Sequence, residues 1–354
     1  MAGASPLTTA GATIAALLIA LGRPAWWLLA LAGFLARGGI VVFLLAIVSL
    51  PSPLVLSNIL APLVTPLAFG TLLPETAALI LGGVGAGLFW LIGGGLFAAA
   101  TELAIMRDAR AIAEEEGLPA TGREPDGRML VVRAAAAHLL AHVPTALVTM
   151  TGAVAIVGVI YAELTNPSDS GPIALRVVAG AVAPIALIVV VWALGEIVGG
   201  LAVRRIVILG SSALGGVVGA SGDLVRRPIG SLLMPFLTML VLAFDLAAVL
   251  AIVAVVLSEV RDRFAGAIDD PVATLLTVAT LGAAWSLALT VTGLIVAWRS
   301  VAMTFEVQRV SAIAWMAPPA GPDGWQGPAG DGTIGASAHR RPGDRSIGDP
   351  DGSL

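Results

Sequence analysis

Six long apolar runs dominate this sequence, near residues 25–50, 76–105, 143–162, 173–200, 230–258 and 272–300. About 20 largely apolar residues, rising 1.5 Å each, cross the roughly 30 Å of hydrocarbon in a bilayer. The chain is 58% hydrophobic and only 12% charged, so a soluble domain of 354 residues could not bury its apolar surface. The short alternating segments typical of a transmembrane β-barrel are absent. The sequence therefore predicts an all-α, polytopic integral membrane protein with six transmembrane helices.

Arginine is the only strongly basic residue in the chain, and its distribution predicts the topology. Five arginines lie in the connection 106–133 and four in the connection 201–229, whereas Arg176, Arg261 and Arg263 are the only ones in the other connections. Because cytoplasmic loops carry the excess of basic residues, both termini are expected in the cytoplasm. We therefore expect a multi-pass protein of the cell membrane, built as three hairpins.

Three segments outside the spans predict helices in the cytoplasmic interface. Residues 1–24 contain the apolar stretch Ser5–Leu21, which is too short to span. Met129–His142 precedes the third span, and Ile206–Val225 precedes the fifth. The last segment is long enough to cross, but arginine pairs at both ends favour an interfacial or re-entrant helix over a seventh span.

Two further segments do not fit a simple bundle. The link Pro51–Pro74 is apolar but contains five prolines, so it is expected on the outer surface or dipping into the bundle. The spans and their connections occupy residues 25–310, and residues 311–354 are rich in Gly and Pro. That composition predicts a disordered cytoplasmic tail.

Two charges of opposite sign, Arg37 and Asp245, fall inside outward-running spans. Each lies 13 residues before the outer end of its span, at Leu50 and Ser258, so both are expected about 20 Å below that boundary. A charge at mid-membrane costs about 2.5–3.5 kcal/mol or more and needs a partner or water. The pair could fix the helix register or take part in moving an ion. Alternatively, Arg37 reaches the cytoplasmic interface if its span starts later.

Three more charged residues, Glu102, Glu196 and Arg299, lie near the cytoplasmic ends of the three returning spans. They are expected to reach the interface or to pair with neighbouring arginines, as long charged side chains do. The alternative is that they line a cavity open to the cytoplasm.

His138 and His142 are four residues apart, which places both imidazoles on one helix face at a spacing suited to a metal. A third ligand would have to come from elsewhere, such as Glu102 or Glu196. Leu139 stands where a zinc hydrolase motif has its general base, so no hydrolytic chemistry is predicted. A simple polar helix face is the alternative.

Glycine pairs at i and i+4 predict close helix packing. Gly83 and Gly87 have this spacing in the second span, and Gly195 and Gly199 have it in the fourth. Small residues allow helix backbones to approach where no hydrophobic force drives association in lipid.

The function classes narrow by exclusion. The chain has no cysteine and no lysine, which removes thiolate chemistry and the phosphate-binding P-loop; no catalytic residues and no cofactor are predicted. The small net charge of −4 gives no reason to expect a nucleic-acid partner.

A non-enzymatic membrane component (scaffold, assembly factor or regulator) is the favoured interpretation. The alternative is a small-solute or ion transporter or channel that uses Arg37 and Asp245. The expected partners are the lipid bilayer and other helices in a homo- or hetero-oligomer, with a small solute under the alternative.

Overall fold

Helices form every regular element of the computed structural model, which describes residues 9–45, 71, 73–115, 127–165, 173–226, 228–265 and 271–316. In chain order they are α1 (Thr9–Leu21), α2 (Pro24–Phe34), a π-helical turn (Leu35–Gly39), α3 (Ile40–Leu45), α4 (Pro74–Glu115), α5 (Gly127–Ala141), α6 (Val143–Thr165), α7 (Ile173–Leu209), α8 (Ala213–Arg226), α9 (Pro228–Ala265) and α10 (Pro271–Met316). Four of these helices begin at a proline, where the missing N–H costs nothing.

Six helical segments in the described residues are long and apolar enough to cross a membrane: Pro24–Leu44, Pro74–Glu115, Gly127–Glu163, Arg176–Leu209, Leu233–Ser258 and Val272–Arg309. The predicted all-α, polytopic membrane architecture is thus confirmed. The first crossing is interrupted, because Gly38 adopts φ 110° within the π-helical turn. α4, α7 and α10, with 42, 37 and 46 residues, are longer than a bilayer requires.

Consecutive spans contact each other as antiparallel hairpins. Glu163 and Arg176 form a 2.7 Å ion pair close to the link between α6 and α7. Farther along the same pair of helices, the Thr145 hydroxyl donates to the Val191 carbonyl. In the third hairpin, Leu281 and Trp285 of α10 pack against Val249 and Val253 of α9, and Phe43 of the first hairpin joins this hydrophobic cluster.

The three predicted interfacial helices pack at the same end of the bundle, where α4, α7 and α10 end; we call this the arginine-rich end. α1 places Ala12, Ala16 and Ala20 in a core with residues of α4 and α10. α5 and α8 form a second core with the C-terminal part of α7 and with α4. Buried side chains are concentrated at this end. In the most apolar 18-residue stretch of α4, and in that of α10, no residue is buried.

Residues 206–225 do not form a seventh span. α7 continues to Leu209 and ends at Gly210, whose φ of 70° is the left-handed conformation common after a helix C-terminus. The 14 residues of α8 then rise only about 21 Å, which is too short to cross.

Several predictions fall on residues whose structure is not described. Residues 1–8 include Ser5, the predicted start of the first interfacial helix, and residues 51–70 contain most of the proline-rich link. The predicted tail is described only as far as Met316, and up to that residue it continues α10 as helix.

Candidate functional site

A cluster of seven charged and imidazole side chains lies where the long helices enter the arginine-rich end. We call it the charged cluster. It consists of Arg37, Glu102, His138, His142, Glu196, Arg204 and Arg299. The π-helical turn, α4, α5, the turn after α5, α7 and α10 each contribute to it. All three hairpins therefore meet at this one polar site.

Glu102 is the centre of the larger half of the cluster. Its Oε2 accepts a 2.7 Å hydrogen bond from Nη2 of Arg37 and lies 3.2 Å from Nε2 of His138. Its Oε1 accepts from Nη1 of Arg204 at 3.2 Å. Two guanidinium groups on different helices thus share one carboxylate, which compensates the cost of holding these charges out of water.

Arg204 is the most deeply enclosed member, with 1% of its surface exposed. Besides Glu102, it donates from Nη1 to the Gly200 carbonyl at 2.7 Å. Its Nη2 donates to both the carbonyl and the hydroxyl oxygens of Ser300 on α10. Arg204 therefore ties α7 to α4 and α10, and a buried cation with these partners fixes their relative positions.

Glu196 organises the smaller half. Its Oε1 lies 3.3 Å from Nε2 of His142, and its Oε2 lies 3.5 Å from Nη2 of Arg299. The other ring nitrogen of His142 lies 2.9 Å from the His138 carbonyl, one helical turn back. That contact orients the imidazole toward α7.

Backbone features at two glycines bring the cluster together. Gly38 follows Arg37 directly, and its φ of 110° is accessible to glycine but strained for other residues. At Gly199, a Cβ atom would lie 2.6 Å from Nδ1 of His138, so only glycine lets the imidazole sit against α7. The predicted close packing at Gly195 and Gly199 is therefore present, against α5 and the start of α6. No described residue approaches Gly83 or Gly87, where close packing was also predicted.

The pairing of Arg37 with Asp245, one possibility that the sequence allowed, is not present in the structure. Arg37 contacts Glu102 and His138, whereas the Asp245 carboxylate accepts a 2.7 Å hydrogen bond from Thr292 of α10. Similar depth in the membrane was not sufficient, because rotation about the helix axis decides which neighbour a side chain faces. Asp245 does not line the cavity beside the cluster, although other residues of α9 do.

The two histidines face different carboxylates, Glu102 for His138 and Glu196 for His142. Within the described parts of the chain, no group of three or more His, Asp or Glu side chains is arranged to hold a metal ion. The geometry thus gives each imidazole an acidic partner in place of a shared metal.

The charged cluster borders a cavity of about 560 Å³, within the range typical of small-molecule sites. Arg37, Glu102, His138, Glu196, Arg204 and Arg299 line its polar part. Apolar residues line most of the rest of the cavity, and α9 contributes six of them. Glu102, Glu196 and Arg299, for which the sequence left arginine pairing and a cytoplasm-facing cavity as alternatives, all line this cavity, and both glutamates are paired with arginines.

A second cavity of about 200 Å³ is bordered by some of the same side chains. The two cavities share Arg37, His138, Glu196 and Trp192 as lining residues, and we call these four the septum. The other lining residues of the smaller cavity include Trp90, Leu91 and Leu139, which are all exposed. The four septum residues therefore border both cavities, which differ in volume and in their other lining residues.

Sequence reasoning missed Arg204 as a site residue. Arg204 and Arg205 served only as evidence for a cytoplasmic connection, and Arg205 does lie toward the surface, paired with Asp223. The apolar sequence on both sides of these two arginines could have identified Arg204. In such a helix, one arginine of the pair lies on the buried face.

No protein-family model matches the sequence, and comparison with curated proteins and with solved structures finds no match. The charged cluster and its two cavities are therefore the observations from which a function can be inferred.

Proposed function

We propose that this protein is a membrane carrier that binds a small solute in the larger cavity and passes it across the septum. The observation that carries the proposal is that two cavities share Arg37, His138 and Glu196 as lining residues. Charged side chains in a membrane bundle that face a cavity often mark a path for substrate.

The interrupted first span supports a moving septum. Non-helical backbone at membrane depth is tolerated where it is enclosed by protein or lines a cavity, and broken helices often form transporter binding sites. Arg37 lies in the π-helical turn, next to Gly38 at φ 110°, and its side chain is 30% exposed. A change at this turn would move Arg37 away from Glu102 and connect the cavities, while Glu102 would keep Arg204 as a partner.

The first experiment measures access to the larger cavity, and the absence of native cysteine makes it direct. Ala247 lines that cavity, whereas the next residue on α9, Ala248, is exposed and does not line it. A carrier predicts that Ala247→Cys reacts with a small hydrophilic methanethiosulfonate in vesicles when the cavity holds no ligand, because the charged side chains that line the empty cavity require water. Ala248→Cys, facing lipid, should react at least about tenfold more slowly.

The second experiment tests the septum. Gly95 lines the smaller cavity and has open space at its Cβ position; Gly93 also has open space but does not line it. Gly95→Cys should be labelled at least about threefold faster in the Arg37→Gln background than in the background that keeps Arg37. The labelling rate of Gly93→Cys should be the same in both backgrounds. Carrier function is refuted if the cysteines at 247 and 95 are as unreactive as their controls and Arg37→Gln changes neither of these two labelling rates.

A scaffold or assembly component is the second candidate, and one observation favours it. The charged cluster joins side chains from all three hairpins, so its role could be purely structural, to hold the bundle together. This function predicts a dry cavity, in which Ala247→Cys does not react.

A further inference from the structure

The larger cavity has two chemically different ends. Its polar end is lined by the charged cluster, and an apolar part of its wall contains Met239, Leu242, Ala243, Leu246 and Leu250 of α9. These positions follow the i, i+3, i+4, i+7 and i+11 spacing of a single helix face. From first to last they extend about 17 Å along α9, and none of them offers a hydrogen-bond donor or a strong acceptor.

The polar end carries an excess of positive charge. Arg37, Arg204 and Arg299 line the cavity together with only two carboxylates, those of Glu102 and Glu196. One positive charge is therefore uncompensated when the histidines are neutral. An anion is attracted to such a site, and a cation is repelled by it.

Arg299 is the arginine with the fewest partners in the cluster. Its side chain is only 15% exposed, and its ion pair with Glu196 has a separation of 3.5 Å. Its Nε is buried and has no hydrogen-bond partner among the described residues. A guanidinium has five N–H donors, and a buried one is costly unless acceptors meet them. Arg299 therefore has donor capacity for an acidic group.

The cavity opens on the side of the bundle that faces lipid. Ala243 and Ala247 line it and are also exposed, and both lie within the membrane-length segment Leu233–Ser258. A ligand entering there comes from the hydrocarbon layer. A free, hydrated anion would lose its water against an apolar wall, which is strongly unfavourable.

We propose that the larger cavity binds an anionic amphiphile, with a phosphate or carboxylate headgroup at Arg299 and one hydrocarbon chain along α9. The inference rests on the proposed carrier function and names its substrate class. Charge excess selects the headgroup, the α9 wall selects the chain, and the lateral opening gives both a route from the bilayer. In a two-chain lipid the second chain stays in the surrounding bilayer.

Binding of phosphatidylglycerol tests the proposal. The full chain is reconstituted in phosphatidylcholine nanodiscs containing a small fraction of phosphatidylglycerol, and the lipid that stays bound after detergent exchange is counted by native mass spectrometry. Arg299→Gln removes the headgroup partner, and Leu246→Trp fills the path of the chain. Each should reduce retained phosphatidylglycerol about tenfold or more, as expected for loss of a charge-assisted hydrogen bond or of a chain site.

Matched controls separate the site from general effects. Arg110→Gln removes an arginine outside the cavity, and Leu240→Trp adds a ring at an exposed position of α9 that does not line the cavity. Both controls should change retention less than twofold, and Arg299→Lys, which keeps the charge, should recover part of it. If Arg299→Gln does not fold, Leu246→Trp and Leu240→Trp still decide the question.

Retention that is unchanged in both Arg299→Gln and Leu246→Trp would overturn the proposal. Displacement of bound phosphatidylglycerol by inorganic phosphate alone would also overturn it, because the site would then recognise an anion without a chain. Failure of the carrier function is distinguishable: the cysteine reactivities at 247 and 95 would match their controls even though lipid is retained.

Discussion

Removing the carboxylate of Glu102 should strongly destabilise the folded protein. Glu102→Gln keeps the size of the side chain but removes the charge that Arg37 and Arg204 share. Arg204 is 1% exposed and cannot recover water, and breaking a buried pair in this way costs about 3–5 kcal/mol. Arg37 is 30% exposed at its side chain, so its lost pair adds at most about 1 kcal/mol.

The free energy of unfolding can be measured by denaturant titration in mixed micelles, with the fluorescence of the eight tryptophans as the signal. Glu114→Gln is the matched control, because Glu114 is paired with Arg110 one turn away at the surface of α4. That change should cost less than about 1 kcal/mol.

Arg204→Met in the Glu102→Gln background gives the sharper test. If the cost arises from an uncompensated buried cation, removal of that cation should recover about half of it or more. The reasoning is refuted if Glu102→Gln costs no more than Glu114→Gln, or if Arg204→Met adds its own cost without any recovery.

Three further predictions concern the surroundings of the cluster. Gly199→Ala should lower stability by about 1–3 kcal/mol, because the added Cβ would displace His138; denaturant titration measures this. Gly38→Ala should cost about 1 kcal/mol or more from backbone strain at φ 110°, and should also alter the labelling rate of cysteine at Ala247. Thr292→Val should cost about 1–2 kcal/mol by leaving Asp245 without its donor, and the retained phosphatidylglycerol should not change.

The controls for these three changes come from the same chain. Gly82→Ala meets no described atom and should be neutral or slightly stabilising in its helix, in contrast to the two glycine changes near the cluster. A double-mutant cycle between Arg37 and Asp245 should give a coupling below about 0.5 kcal/mol, whereas the cycle between Arg37 and Glu102 should exceed it. A large coupling between Arg37 and Asp245 would contradict the pairing described above.

The spans and interfacial helices could be predicted because their signals are local. Apolar length identifies a crossing, and arginine pairs identify the ends of the segment 206–225, whatever the neighbouring helices do. The observed end of α7 at Gly210 also follows from a local rule, since glycine readily adopts the left-handed conformation after a helix.

The charged cluster was foreseeable only in part. The sequence placed Glu102, Glu196 and Arg299 at equivalent ends of three spans, which is where the structure brings them together. It did not identify their partners, because the break at Gly38 turns Arg37 toward α4. Depth along a helix can be read from residue number, but rotation about the axis depends on packing between helices.

The uneven packing of the bundle has a mechanical consequence. Core residues hold the helices together at the arginine-rich end, while the most apolar stretches of α4 and α10 are unburied. A long helix anchored at one end acts as a lever, with its fulcrum at the charged cluster. The stretch from Glu102 back to Pro74 is about 42 Å long, so a tilt of about 5° at Glu102 moves the far end by about 4 Å. A small rearrangement of one ion pair would thus change the width of the bundle at the opposite face of the membrane.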